Sequence, residues 1–189
     1  MNQSESWFYE AQLRIHFKDW EGKRVLDLGA GQGGTVSLDL QKRHINIEMV
    51  SLSPHYKDKS NTVTRMLSEQ GDAERAENFV AGNGLHLPFA DQSFDAIVSV
   101  RAVPMYLNTE AEFEQVIKEI ERILKPGGEA RLTPGLAKSQ GGHLVPFPEA
   151  GVDWVKAKTK LVAEYLEAEH SDPVLVLRKP LEGQADKSD

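Results

Sequence analysis

Apolar and polar positions change period several times along this chain. Over residues 5–20, Trp7, Phe8, Ala11, Leu13, Ile15, Phe17 and Trp20 predict a short amphipathic helix, ended by a turn at Glu21-Gly22. Short apolar runs then alternate with helical ones. RVLDLG (24–29) is bounded by Gly22 and a glycine-rich loop and predicts a buried strand, followed by a helix from about Gly33 to Arg43. INIEMVSL (45–52) predicts a second strand, stopped by Ser53-Pro54, and residues 61–70 a helix broken by Gly71-Asp72. NFVAGN (78–83) and SFDAIVSV (93–100) are the third and fourth strands. Thr109 with Glu112 three residues on has capping-box spacing and opens a helix to about Leu124, which stops at Pro126-Gly127-Gly128. Its stripe Phe113, Val116, Ile117, Ile120, Ile123 and Leu124 has the spacing of a core face. EARLTP (129–134) is the fifth strand.

The C-terminal part is ambiguous in period. Residues 152–169 have mainly helical spacing, and PVLVLRKP (173–180) reads as a strand. Tyr165 to His170 is read as the end of that helix; the alternative is a strand paired with 174–179 through Ser171-Asp172-Pro173. Five strand-then-helix alternations imply an α/β protein of three layers, α/β/α, with a mostly parallel sheet and an antiparallel C-terminal strand. The expected organisation is one domain over residues 1–181 and a frayed polar tail over 182–189.

Composition narrows the class. The 189 residues suit one domain, and 40% hydrophobic with 27% charged residues is ordinary for a globular protein. No run is long and apolar enough for a membrane span, and the polar, acidic start MNQSESWFYE does not read as a signal peptide. With no cysteine and a net charge of −7, neither a thiolate metal site nor a nucleic-acid partner is expected, and a cytoplasmic location is the default. No spacing of His, Asp and Glu suggests a metal.

The chemistry centres on VLDLGAGQGG (25–34), which fits two fingerprints. Gly29-x-Gly31-x-x-Gly34 matches a dinucleotide loop, and Asp27-x-Gly29-x-Gly31-x-Gly33 matches the loop of enzymes using S-adenosylmethionine. In both, glycines allow a sharp turn and close approach of a ligand. Asp27 would face a pyrophosphate unfavourably but suits the amino group of a methionine moiety. Only about 55 residues follow the fifth strand, little room for the substrate domain of a dehydrogenase.

Three blocks carry a resemblance. They are KRVLDLGAGQGG, NFVAGNGLHLPFADQSFDAIVSV and EIERILKPGGEARLT, in this order over residues 23–134. Together they resemble the small, single-domain, Rossmann-like class I S-adenosylmethionine-dependent methyltransferases of the methyltransferase-11 type. The resemblance implies S-adenosylmethionine as cofactor. It would place Asp27, Gly29, Ala30, Gly31 and Gly33 along the methionine half, and Ser51 and Leu52 at the ribose and adenine. Asn83, Gly84 and Leu85 would follow the adenine edge, and Val100 and Arg101 the sulfonium side. Tyr9 and Gln12, on the first helix, are weaker candidates.

Two positions depart from that pattern. Ser51 stands where the family usually has an acid for both ribose hydroxyls, and Asp58 is a candidate replacement. Asn83 stands where an Asp often meets the adenine amino group.

The expected reaction is direct, in-line methyl transfer organised by proximity, to a small molecule or else a protein, with no membrane or metal. Tyr106 and His143 are the weak catalytic candidates, and His55 could stack on adenine or face solvent. The loop 134–151 is long enough for a lid. Asp95 reads as structural. The competing function is a nucleotide-binding or regulatory module of the same fold without efficient transfer.

Overall fold

A computed structural model describes residues 5–31, 35–57, 78–133, 136–138, 144–146, 149–167 and 172–181. Seven strands form one sheet: β1 (Arg24–Leu28), β2 (Glu48–Ser53), β3 (Phe79–Ala81), β4 (Phe94–Val100), β5 (Leu124–Thr133), β8 (Val162–Leu166) and β9 (Val174–Arg178). Their order is β3-β2-β1-β4-β5-β9-β8, with β6 (Leu136–Lys138) and β7 (Leu144–Pro146) pairing apart as a small ribbon. β1 to β5 are mutually parallel, and β9 runs antiparallel to both β5 and β8.

The strand period sorts side chains into two cores. Leu26, Leu28, Val50, Leu52, Ile97 and Leu132 face α3 (Glu110–Ile123) and α4 (Glu149–Lys158). Val25, Met49, Val98 and Val100 face α1 (Glu5–Leu13) and α2 (Thr35–Lys42). The central strands are buried on both faces, so they read as near-continuous apolar runs rather than alternating ones. The expected three-layer α/β/α arrangement is therefore the one formed.

The helix expected over 152–169 is shorter. α4 ends at Lys158, where the Thr159 hydroxyl donates to the Val155 carbonyl (2.6 Å) and accepts from the Leu161 amide (3.1 Å). Residues 162–166 are strand β8, in register from Val162↔Arg178 to Leu166↔Val174. Their apolar positions fit either period, and the open edge of β9 decides between them by accepting backbone hydrogen bonds. The helix expected at 61–70, the loop residues 139–143 and the tail 182–189 lie outside the described residues.

Two motif blocks turn out to be fastenings. Arg122 donates to the carbonyls of Phe89 (2.7 Å) and Leu87 (3.0 Å) and pairs with Asp91 and Glu119, tying the LPFADQ loop to α3. In the KPGG block, strand β5 already begins at Leu124, and its pairing with β4 shifts register between Phe94 and Ala96. Gly127 takes φ +80° there, and its amide donates to the Lys179 carbonyl at 2.8 Å. The Lys179 ammonium donates to the carbonyls of Glu121 and Leu124, closing the C-terminus of α3. Asp95 accepts from the Arg24 amide (2.9 Å) and Lys125 (2.8 Å). Burial alone would raise its pKa, but these bonds outweigh it and hold the carboxyl below its usual value. That places Asp95 in the structure of the sheet, as its position in the sequence suggests.

The capping box at Thr109 and Glu112 is complete. Thr109→Ala should cost about 1 kcal/mol of stability. Arg122→Met, which strands two carbonyls, should cost about 2 kcal/mol. Urea denaturation should show each as a lower midpoint with an unchanged slope.

Candidate active site

The chain leaves β1 through a turn that only glycine fits well. Gly29 has φ +86°, and a side chain there would bring a Cβ within 2.3 Å of the Ala102 Cβ. The amides of Gly29 and Ala30 donate to the Leu52 carbonyl at 2.9 and 3.1 Å, fastening the turn to β2. Gly31 has φ +66° and nothing within 4 Å of a Cβ position, so the loop faces open space. The Ser99 hydroxyl donates to the Leu28 carbonyl (2.8 Å) and accepts from the Val103 amide (3.0 Å), which fixes the loop after β4 beside it.

These loops surround a cavity of about 660 Å³, within the range of roughly 300–1,000 Å³ common for small-molecule sites. It lies beyond the carboxyl ends of β1, β2, β3 and β4, where open α/β sheets place ligands. Leu28 to Gly31, Leu52 to His55, Gly82 to Leu85 and Val100 to Val103 line it from the sheet. Glu5, Phe8 and Tyr9 of α1 line it from above, and Tyr106, Leu107, Glu112 and Val116 close the remaining side.

Of the residues singled out from sequence, Gly29, Ala30, Gly31, Leu52, Asn83, Gly84, Leu85, Val100, Arg101, Tyr106, Tyr9 and His55 line this cavity. Asp27, Ser51 and Gln12 do not, and Gly33, Asp58 and His143 lie outside the described residues. Glu5 and Phe8 were not singled out as site residues in the sequence, where Phe8 counted only among the apolar positions of the first helix. Their signal is helical spacing: positions 5, 8 and 9 share one side of α1.

Asp27 and Ser51 do not reach the cavity because they are buried short of the strand ends, with Tyr9 packed on Asp27. They are register partners on the α1 and α2 side of the sheet, both buried. The Tyr9 hydroxyl donates to both Asp27 carboxylate oxygens, at 3.2 and 3.3 Å. Burial pushes the Asp27 pKa up to about 7; the Tyr9 bond opposes this, and the Glu5 charge adds to it. Burial, with Asp27 next, also raises the phenols of Tyr9 and Tyr56. A carboxylate at position 51 would stand beside Asp27 and make ionising either costlier; serine avoids this. The Ser51 and Tyr56 hydroxyls have no partner among the described residues.

Arg101 combines two constraints. Its φ is +55°, held by a 2.6 Å bond from its amide to the Thr133 carbonyl. Its guanidinium lies 5.2 Å from the centre of the Phe8 ring, joining the loop after β4 to α1. Asn83 Oδ1 accepts from the Leu85 amide at 3.1 Å, and its second lone pair remains for a ligand donor. Tyr106 is 64% exposed, at the rim.

The family described as methyltransferase domain matches residues 26–132, more than half of the chain. Curated relatives include the fatty-acid O-methyltransferase of Mycolicibacterium smegmatis, 29% identical over 58% of this chain and 36% of that protein. The sterol 24-C-methyltransferase of Aspergillus fumigatus is 32% identical over 57% of this chain and 26% of that one. The chain thus spans about a third or less of the length of these two relatives. Among solved structures, the cyclase SpnF superposes with TM-score 0.61 at 16% identity, over 93% of this chain and 80% of that one. The PH0226 protein of Pyrococcus horikoshii superposes with TM-score 0.60 at 19% identity, over 94% and 92%.

The buried carboxyl makes a pH test. Its folded pKa of about 7 lies above the unfolded value near 3.9. Folding therefore takes up a proton between those values, and this contribution to stability is lost as pH rises through that window. Asp27→Asn stays neutral and should remove the slope. Relative to the native protein, the variant should gain about 4 kcal/mol between pH 4 and pH 8, read from urea midpoints at each pH.

Proposed function

The chain belongs to the methyltransferase domain family, and we propose that it transfers a methyl group from S-adenosylmethionine to a small-molecule acceptor. The single observation that carries this reading is the loop Gly29-Ala30-Gly31. It lies within the family match and opens with two positive-φ glycines onto the cavity at the strand ends. We read residues 1–181 as one cofactor-binding domain.

The residues present fit the cofactor. The tight turn at Gly29 and the open space at Gly31 leave room along the loop for its methionine half. Leu52, Asn83, Gly84 and Leu85 offer an apolar wall and a spare amide for the base. When bound, the cofactor supplies an electrophilic methyl group on its sulfonium. The protein binds, orients and excludes water. Alignment of the acceptor behind the methyl group can contribute several kcal/mol without covalent chemistry.

The acceptor side is lined by Ala102, Val103, Leu107 and Val116, which suits an acceptor with an apolar body. The O-methylated fatty acid and C-methylated sterol of the relatives' names are of that kind. Proton transfer has few agents here. Glu112 is committed to the amides of Asn108 (2.6 Å) and Thr109 (3.3 Å). Tyr106 supplies the hydroxyl on this side of the cavity, and it stands at the rim.

The scaffold also occurs in a cyclase, so fold alone does not specify methyl transfer. Thermal or chemical denaturation should show stabilisation by S-adenosylhomocysteine, about 2.7 kcal/mol at one hundred times its Kd, and none by NAD. Incubation with labelled S-adenosylmethionine and a panel of fatty acids and sterols should then yield a labelled product. Stabilisation by NAD alone would refute the reading. Cofactor binding without label transfer across a broad acceptor panel would favour the module without transfer.

A further inference from the structure

We propose that Glu5 is the carboxylate that receives the ribose hydroxyls of the nucleoside bound in this cavity. The inference rests on the cofactor reading above. A ribose presents two O–H donors side by side, and a carboxylate, with two acceptor oxygens, matches them best. The end of β2 offers no such group. Ser51 is buried and does not line the cavity, Leu52 is apolar, and the Ser53 hydroxyl already accepts from the His55 amide at 3.3 Å.

Among the described residues, the carboxylates that line the cavity are Glu5 and Glu112. Glu112 is held by the amides that it caps. No hydrogen-bond donor or cation among the described residues is paired with Glu5. Glu5 lines the cavity together with Leu28 to Gly31 after β1 and Leu52 to His55 after β2. Burial, and then the charge of Asp39, raise its pKa; two donated hydrogen bonds would relieve that penalty.

The neighbouring residues hold Glu5 in place. The Ser6 amide donates to Asp39 of α2 at 3.1 Å, and Arg43 donates to the Ser6 hydroxyl at 2.6 Å and to Glu10 at 2.9 Å. Tyr9, one turn on, is bonded to Asp27. With the helix fixed in advance, only the Glu5 side chain has to be ordered on binding.

Calorimetric titration of the whole chain with two ligands tests this. S-adenosylhomocysteine carries both the ribose diol and an amino acid; 5′-methylthioadenosine keeps the diol and lacks the amino acid. Glu5→Gln should weaken both about tenfold, the size of a lost charge-assisted pair in a half-open site. Ser51→Ala should leave both unchanged. Glu5→Ala should repeat the Glu5→Gln pattern, with the ligand-free variants unfolding at the native temperature. Weakening of S-adenosylhomocysteine alone would assign Glu5 to the amino acid and overturn the proposal. Unchanged binding of both ligands would overturn it while leaving the cofactor reading intact. If the native chain binds neither ligand, the cofactor reading itself fails and the inference with it.

Discussion

The site depends on one close approach. Gly29 passes Ala102 so tightly that an added methyl group would meet it at 2.3 Å. This contact brings the loops after β1 and β4 together, and the bonds from Gly29 and Ala30 to Leu52 bring in β2. The Ser99 hydroxyl holds the arrangement from beneath. The cavity is the space that remains above these fastened strand ends. Its shape is therefore set by backbone geometry, with side chains supplying the lining.

Beneath the loop sits a polar cost. Asp27 is buried, and its only hydrogen-bond donor among the described residues is the Tyr9 phenol. That bond links the sheet to α1, which also carries Glu5 and Phe8 into the cavity wall. The same helix is fixed to α2 through Ser6, Asp39 and Arg43. Position 51, beside Asp27, has serine in place of a second carboxylate. Of the two carboxylates that line the cavity, the one not engaged in a helix cap, Glu5, comes from α1. Placing charge on the covering helix avoids setting two acids side by side in the sheet.

The fold and the chemistry are separate statements. A parallel sheet covered on both faces accounts for the three layers, and the strand ends account for the cavity. The family match adds the class of reaction. The acceptor we propose would meet the apolar wall near Val103 and Val116.

Much of this was legible in the residues themselves. Apolar runs bounded by glycine and proline marked β1, β2 and β4, because parallel strands buried on both faces leave no alternation to confuse. Thr109 with Glu112 marked a helix start, since a capping box is a local interaction. The glycines of 29–31 marked the loop, because positive φ is a property of the residue. What the sequence could not settle was which way near-equal alternatives fall. Residues 162–166 became a strand because the open edge of β9 lay beside them. Asp27 and Ser51 stayed out of the cavity because they are buried short of the strand ends, where Tyr9 of α1 packs on Asp27. Glu5 reached the cavity because α1 packs over the end of β1. In each case the deciding partner is far away along the chain, and only folding makes it a neighbour.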